Sequence, residues 1–138
     1  MTITENPILL VEDDRVDVMT VKRALKEIHV TNPVVNIENG EDALNYLRDA
    51  NNASPCVILL DLNMPVMNGI EFLREIKNDQ QLKDIPVVAL TTSEEPQDKI
   101  SCFDLGVADY IAKPVDYRQF VEIMRTIKAY WTIHGEPQ

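Results

Sequence analysis

The sequence predicts an α/β fold with five parallel strands and five helices, (βα)₅, arranged as a doubly wound parallel sheet. Three observations predict it: short apolar runs recur along the chain, segments with helical spacing separate them, and the two types alternate strictly. Because crossovers between parallel strands are right-handed, the helices are expected on both faces of the sheet.

The predicted strands are short runs of aliphatic and β-branched residues. The first, third and fourth runs are continuously apolar, which is typical of strands that helices cover on both faces. The five runs are Ile8 to Val11, Val34 to Ile37, Cys56 to Leu60, Val87 to Leu90 and Asp109 to Ala112.

The helices are predicted from apolar residues three or four positions apart, which form a stripe along one helix face. In chain order the stripes are Val18, Val21, Leu25 and Ile28; Ala43, Leu44 and Leu47; Ile70, Leu73 and Ile76; the weaker pair Ile100 and Phe103; and Phe120, Ile123, Ile127 and Tyr130. Potential capping residues, Asp14, Ser93 and Asp116, precede three of these helices.

Length and composition favour one domain with one core over residues 1–138. The net charge of −10 argues against a surface that binds nucleic acid, because such a surface needs clustered Lys and Arg.

No signal sequence and no run of about 18 apolar residues is present, so we expect a cytoplasmic protein without membrane insertion. Cys56 and Cys102 lack the spacing of a disulfide framework or a zinc site and are expected to be buried thiols.

Residues with carboxylate, hydroxyl or amine side chains follow four of the predicted strands. Ligands of a doubly wound sheet bind at the carboxyl ends of the strands, so these residues are expected to share one edge. They are Glu12, Asp13 and Asp14 after the first strand, Asp61 after the third, Thr91 and Thr92 after the fourth, and Lys113 after the fifth.

The acidic residues among them indicate a binding site for a cation. Glu12, Asp13 and Asp61 would repel one another on neighbouring strand ends, and Mg²⁺ with oxygen ligands is the natural compensation. The backbone carbonyl of Asn63 is well placed to join them, whereas Asp14 is more simply interpreted as a helix cap.

Asp61 is the candidate nucleophile. A carboxylate beside a divalent ion and an amine can attack phosphorus, because the cations neutralise the oxygens of a loose transition state. Lys113 and Thr91 are candidates to contact those oxygens. Each has a simpler interpretation as well: Lys113 as a charge at a strand end, and Thr91 as a residue with high β-propensity.

Four motifs together resemble the receiver domain of two-component response regulators. They occur in the order and at the spacing of that family: LLVEDD from Leu9 to Asp14, DLNMPVMNG from Asp61 to Gly69, LTTS from Leu90 to Ser93, and YIAKP from Tyr110 to Pro114. The resemblance covers about residues 6–131, and it implies a flavodoxin-like (CheY-like) fold with strand order 2-1-3-4-5. It also implies a single receiver domain over residues 1–138 with no output domain.

The resemblance also implies a role for each site residue. Asp61 would accept a phosphoryl group from a sensor histidine kinase or a histidine phosphotransfer protein. Mg²⁺ would be held by Glu12, Asp13, Asp61 and the carbonyl of Asn63. Small phosphodonors would phosphorylate such a domain in a Mg²⁺-dependent reaction, and it would dephosphorylate itself, but it would not be an enzyme with a separate substrate.

The remaining implied roles concern the switch. Thr91 would be the switch hydroxyl, Lys113 would pair with a phosphoryl oxygen, and Tyr110 would be the switch aromatic residue. Phosphorylation would then repack the face formed by the fourth helix, fifth strand and fifth helix, which is expected to carry Tyr110, Tyr117 and Trp131 and to bind a partner or a second copy of the chain. The motifs and the final AYW are also similar to stand-alone regulators associated with phytochrome-type kinases.

Three other interpretations involve different functions. A Mg²⁺-dependent aspartyl phosphatase of the haloacid dehalogenase type needs an aspartate two residues after its nucleophile, where this chain has Asn63. A flavodoxin needs a Ser/Thr-rich phosphate loop after the first strand, where this chain has three acids. An adaptor that works without phosphorylation stays open.

Overall fold

The computed structural model describes residues 6–62, 67–91, 96–112 and 116–135, with side chains up to residue 128. Its strands are β1 (Ile8–Val11), β2 (Val34–Ile37), β3 (Val57–Asp61), β4 (Val87–Thr91) and β5 (Asp109–Ala112). Its helices are α1 (Arg15–Glu27), α2 (Gly40–Arg48), α3 (Gly69–Lys77), α4 (Pro96–Asp104) and α5 (Tyr117–Gly135).

The five strands form one parallel sheet in the order β2-β1-β3-β4-β5, which confirms the predicted fold and strand order. The chain first steps from β1 to β2 on one side and then from β2 to β3 on the other. The strand order therefore reverses at the carboxyl ends of β1 and β3, where sheets of this kind bind ligands.

Two apolar layers cover the sheet. Alternate strand residues face opposite ways, so that Leu10 packs with α1 and α5 while Leu9 packs with α2, α3 and α4. Because both layers are apolar, β1, β3 and β4 are buried along their whole length. No helix in the described ranges is both long enough and apolar enough to cross a bilayer.

Two strands extend one residue beyond their predicted ends. Asp61 and Thr91 were expected to follow β3 and β4, but each is the last residue of its strand. The reason is that the ladder continues: Asp61 pairs with Leu90, and Thr91 pairs with Ala112.

Helix α4 is present as predicted, but the apolar pair that predicted it does not face the core. Ile100 and Phe103 are 52% and 49% exposed, and Cys102 is the buried residue of this helix. A spacing of three places two side chains on the same face, but it does not determine whether that face points to the core or to solvent.

Tyr117 also lies on a different side of α5 from the predicted one. It packs in the layer that contains α1, and the guanidinium of Arg23 on α1 lies 4.4 Å from the centre of its ring. This cation–π contact joins α1 to α5. The side chains of Tyr130 and Trp131, which were also assigned roles, lie outside the described residues.

Two of the predicted helix caps are confirmed. The Asp14 carboxylate accepts hydrogen bonds from the backbone N–H groups of Val16 and Asp17, and the Asp116 carboxylate accepts one from Gln119. These bonds satisfy N–H groups that have no partner within the helix. Ser93, the third predicted cap, lies outside the described residues.

The Cys102 thiol is expected to be unreactive in the folded protein. Cys102 is fully buried, and burial, with a further contribution from Asp98, raises the pKa of its thiol to about 11. The nucleophilic thiolate is therefore scarce at pH 8. Intact mass after brief iodoacetamide treatment should show no adduct on a Cys56→Ser variant until denaturant is added, and rapid labelling of the native variant would contradict the described packing of α4.

Candidate functional site

Strand register brings the predicted acids together. Val11 of β1 pairs with Leu60 of β3, so the next residues along the two strands, Glu12 and Asp61, lie at the same level of the sheet. Carboxylate oxygens of Glu12, Asp13 and Asp61 all lie within 4.8 Å of one another. The predicted acid cluster is therefore present at the strand-order reversal.

The cluster carries a large electrostatic cost. Glu12 and Asp61 are 1% and 6% exposed, whereas Asp13 is exposed. Two carboxylates at this separation or closer repel each other by at least about 3.5 kcal/mol at an effective dielectric constant of about 20. A cation between the oxygens turns this repulsion into attraction.

The donor set fits a small, hard divalent cation. The three residues offer only carboxylate oxygens, which Mg²⁺ and Mn²⁺ accept readily. Octahedral Mg²⁺ with ligands at about 2.1 Å separates opposite oxygens by about 4.2 Å. The carboxylate oxygens, all within 4.8 Å of one another, are therefore close to the spacing that such an ion requires.

Hydrogen bonds hold the β1 end of the cluster. The backbone N–H of Asp14 donates to the Glu12 carboxylate at 3.2 Å, while the side chain of Asp14 caps α1. The backbone N–H of Glu12 donates to the Ile37 carbonyl of β2 at 3.0 Å. Asp14 is thus tied both to the helix and to the acid cluster.

The β3 end of the cluster is fixed by a close approach to α3. The N–H of Gly69 donates to the Leu62 carbonyl at 3.1 Å. A β-carbon added to Gly69 would lie 2.5 Å from the Leu62 α-carbon and 2.8 Å from the Asp61 carbonyl oxygen. Only glycine therefore allows the first residue of α3 to sit against the chain that leaves Asp61.

The start of α3 carries a capping box that was not predicted. The Asn68 side chain accepts a hydrogen bond from the Glu71 N–H, and the Glu71 carboxylate accepts one from the Asn68 N–H. The signal was present in the sequence as a capping residue followed three positions later by glutamate. Together with Gly69, this box fixes where α3 begins.

The two predicted switch residues on β4 and β5 lie on the same side of the sheet. Thr91 is fully buried, while Tyr110 is half-buried and pairs with Ala89, two residues before Thr91. On its outer side Tyr110 meets α4: its ring centre lies 6.4 Å from that of Phe103 and 6.0 Å from the Lys99 amine. Tyr110 therefore connects the site edge with the exposed surface of α4.

Two predicted site residues, Asn63 and Lys113, lie outside the described residues. Their neighbours are described. Asn63 is two positions after Asp61, and Lys113 directly follows Ala112, the residue that pairs with Thr91.

Comparisons with known proteins agree with this geometry. The family model described as "Response regulator receiver domain" matches residues 8–125. Response regulator Rcp1 of Synechocystis is 36% identical over 128 residues, which cover 90% of this chain and 87% of that protein.

Two solved structures extend the likeness. The phosphorylated cyanobacterial phytochrome response regulator RcpA is 40% identical, with a TM-score of 0.84 over 93% of this chain and 94% of that one. The Mn²⁺-bound form of Rcp1 is 35% identical, with a TM-score of 0.82 over 91% and 94% of the two chains.

Replacing Gly69 by alanine is expected to disturb both the fold and the acid cluster. The added methyl group meets backbone atoms that cannot rotate away, so the free energy of unfolding should fall by about 1–3 kcal/mol. Mg²⁺ affinity, measured by calorimetric titration, should fall as well, because Asp61 and Leu62 must shift.

Gly106→Ala is the matched control for this prediction. Gly106 has a φ of +83°, so alanine there costs about 1–2 kcal/mol of stability through backbone strain, away from the acids. Equal Mg²⁺ affinities in the two variants would show that Gly69 does not position the site.

Proposed function

Because the chain belongs to the response regulator receiver domain family, we propose that it is a phosphorylation-activated switch of a two-component phosphorelay, with Asp61 as its phosphoryl acceptor. Receiver domains act in signalling rather than as metabolic catalysts. The observation that carries the proposal is the cluster of Glu12, Asp13 and Asp61 at the strand-order reversal.

The proposed reaction is a phosphoryl transfer from histidine to aspartate. A carboxylate oxygen of Asp61 forms a bond to phosphorus as the phosphorus–nitrogen bond of a donor phosphohistidine breaks, and the imidazole nitrogen leaves. The transition state is loose, so positioning and charge neutralisation do most of the work. Burial of Asp61 supports this role, because a desolvated carboxylate in fixed geometry is ready to attack.

We assign the metal site to Glu12, Asp13, Asp61 and the backbone carbonyl of Asn63. Bound there, Mg²⁺ would neutralise the phosphoryl oxygens and so permit one anion to approach another. The all-oxygen donor set supports this assignment, and a related regulator has been crystallised with Mn²⁺.

Lys113 and Thr91 are the proposed contacts of the transferred group. Thr91 pairs with Ala112, the residue that precedes Lys113 in the chain, and this supports a shared task for Thr91 and Lys113. In the proposal the amine pairs with one phosphoryl oxygen and the hydroxyl donates to another. Tyr110 then follows Thr91 inward, and the face of α4, β5 and α5 changes.

Two pairs of exposed apolar side chains support the proposal that the chain binds other proteins. Val16 and Met19, in the first turns of the helix capped by Asp14, are 71% and 69% exposed. They suit the docking of the sensor histidine kinase or phosphotransfer protein that brings the donor histidine to Asp61. Ile100 and Phe103 suit the binding of a downstream partner or of a second copy of the chain.

Asp61→Asn is expected to abolish phosphoryl acceptance, because an amide oxygen is too weak a nucleophile. Intact mass after incubation with acetyl phosphate and Mg²⁺ should show one added phosphoryl group on the wild type and none on the variant. Omitting Mg²⁺ should remove the adduct from the wild type too.

Labelling retained in Asp61→Asn would place the acceptor elsewhere. A wild type that binds Mg²⁺ but forms no adduct, even when the reaction is quenched early, would favour an adaptor that works without phosphorylation.

Lys113→Ala is expected to separate metal binding from the response. Its amine serves the phosphoryl group rather than the ion, so the Mg²⁺ dissociation constant should stay within about twofold of the wild-type value. The change in Tyr110 environment on phosphorylation, followed by NMR, should be lost or reduced. Loss of Mg²⁺ binding in this variant would show that the role assigned to Lys113 is wrong.

A further inference from the structure

Asn36 occupies an unusual position for an asparagine. It lies inside β2, in the run Val34–Ile37, although asparagine is depleted in strands because its side chain competes with the backbone for hydrogen bonds. The position is exposed at the edge of the sheet, so the core does not require any particular residue there. Its polar side chain calls for a physical explanation.

The Asn36 side chain bridges two carbonyls of β1. Its amide nitrogen, Nδ2, lies 3.0 Å from the Leu10 carbonyl oxygen and 3.1 Å from that of Glu12. A side-chain amide carries two N–H donors, so both bonds can form at once. The second bond reaches past Val11 and Ile37, the last pair of the β1–β2 ladder.

Both backbone groups of Glu12 are therefore held by β2. Its N–H donates to the Ile37 carbonyl, and its carbonyl accepts from Asn36. The peptide bond is planar, so the Glu12 carbonyl and the Asp13 N–H turn as one unit. Fixing that plane sets the direction in which the exposed Asp13 leaves the strand.

From these contacts we infer that Asn36 is a positioning residue for the acid cluster: it holds the Glu12–Asp13 peptide in the orientation that points Asp13 at Glu12 and Asp61. The inference rests on the proposed function for its purpose. Without the bridge, repulsion between the carboxylates turns Asp13 away, and a divalent cation must first bring it back.

The test compares Asn36→Val with Asn32→Val. Valine suits an exposed strand position, so the first variant should fold. Asn32 is a matched control, because its side-chain amide also donates to a backbone carbonyl, that of Asn6 at 2.8 Å, but at the opposite end of the strands. Urea unfolding of both metal-free variants measures the general cost of losing such a bond.

Asn36→Val should weaken Mg²⁺ binding about tenfold by calorimetric titration, as is typical when a residue that orients metal ligands is lost. Amide exchange in the metal-free protein should also quicken at Asp14, whose N–H bonds to the Glu12 carboxylate. Asn32→Val should change neither quantity. Unchanged Mg²⁺ affinity and unchanged Asp14 exchange in Asn36→Val, or an equal effect of Asn32→Val, would overturn the inference.

The same experiment separates this inference from the proposed function. If the wild type binds no Mg²⁺, the proposed metal site fails, but faster Asp14 exchange in Asn36→Val alone still supports the positioning role and unchanged exchange overturns it. If the wild type binds Mg²⁺ but accepts no phosphoryl group, the switch fails and the two dissociation constants still decide the role of Asn36.

Discussion

Repulsion among three carboxylates is the constraint on which the rest of this structure depends. Parallel pairing of β1 with β3 puts Glu12 level with Asp61, and burial removes the water that would screen them. Without structural support, like charges this close together would move apart. The sheet resists this because both strands are central and covered on both faces, so neither can move without opening the core.

The groups that hold the acids act on the main chain more than on the carboxylates. Gly69 allows α3 to pack against the peptide that follows Asp61, and the capping box fixes the start of that helix. The Asn36 side chain donates a hydrogen bond to the Glu12 carbonyl. Support of this kind leaves the carboxylate oxygens available for a cation. It also means that the cation meets a largely formed site, which lowers the cost of ordering on binding.

Sequence alone predicted the strands, the buried faces of most helices and the acids of the site, because each depends on local periodicity or on position at a strand end. The sequence did not predict features that depend on contacts with a neighbouring strand or helix. Asp61 and Thr91 belong to their strands because partner strands continue the ladder. The orientation of α4 depends on its packing against the apolar layer that contains Cys102. The two hydrogen bonds from the Asn36 side chain to β1 carbonyls depend on the register between β1 and β2. The capping box at Asn68 was not predicted, although Asn68 and Glu71 stand at the spacing that is typical of one.

Helix α4 buries few of its residues, and this affects the free energy needed to displace it. Among its nine residues only Cys102 is buried, whereas α3, of equal length, buries four: Gly69, Phe72, Leu73 and Ile76. Displacing α4 exposes little apolar surface, so alternative placements of this helix lie close in free energy. A coupling free energy of about 1–3 kcal/mol changes the ratio of two such placements roughly 5- to 150-fold. Because Phe103 is in ring contact with Tyr110, a displacement of the Tyr110 ring would change how α4 is distributed among those placements.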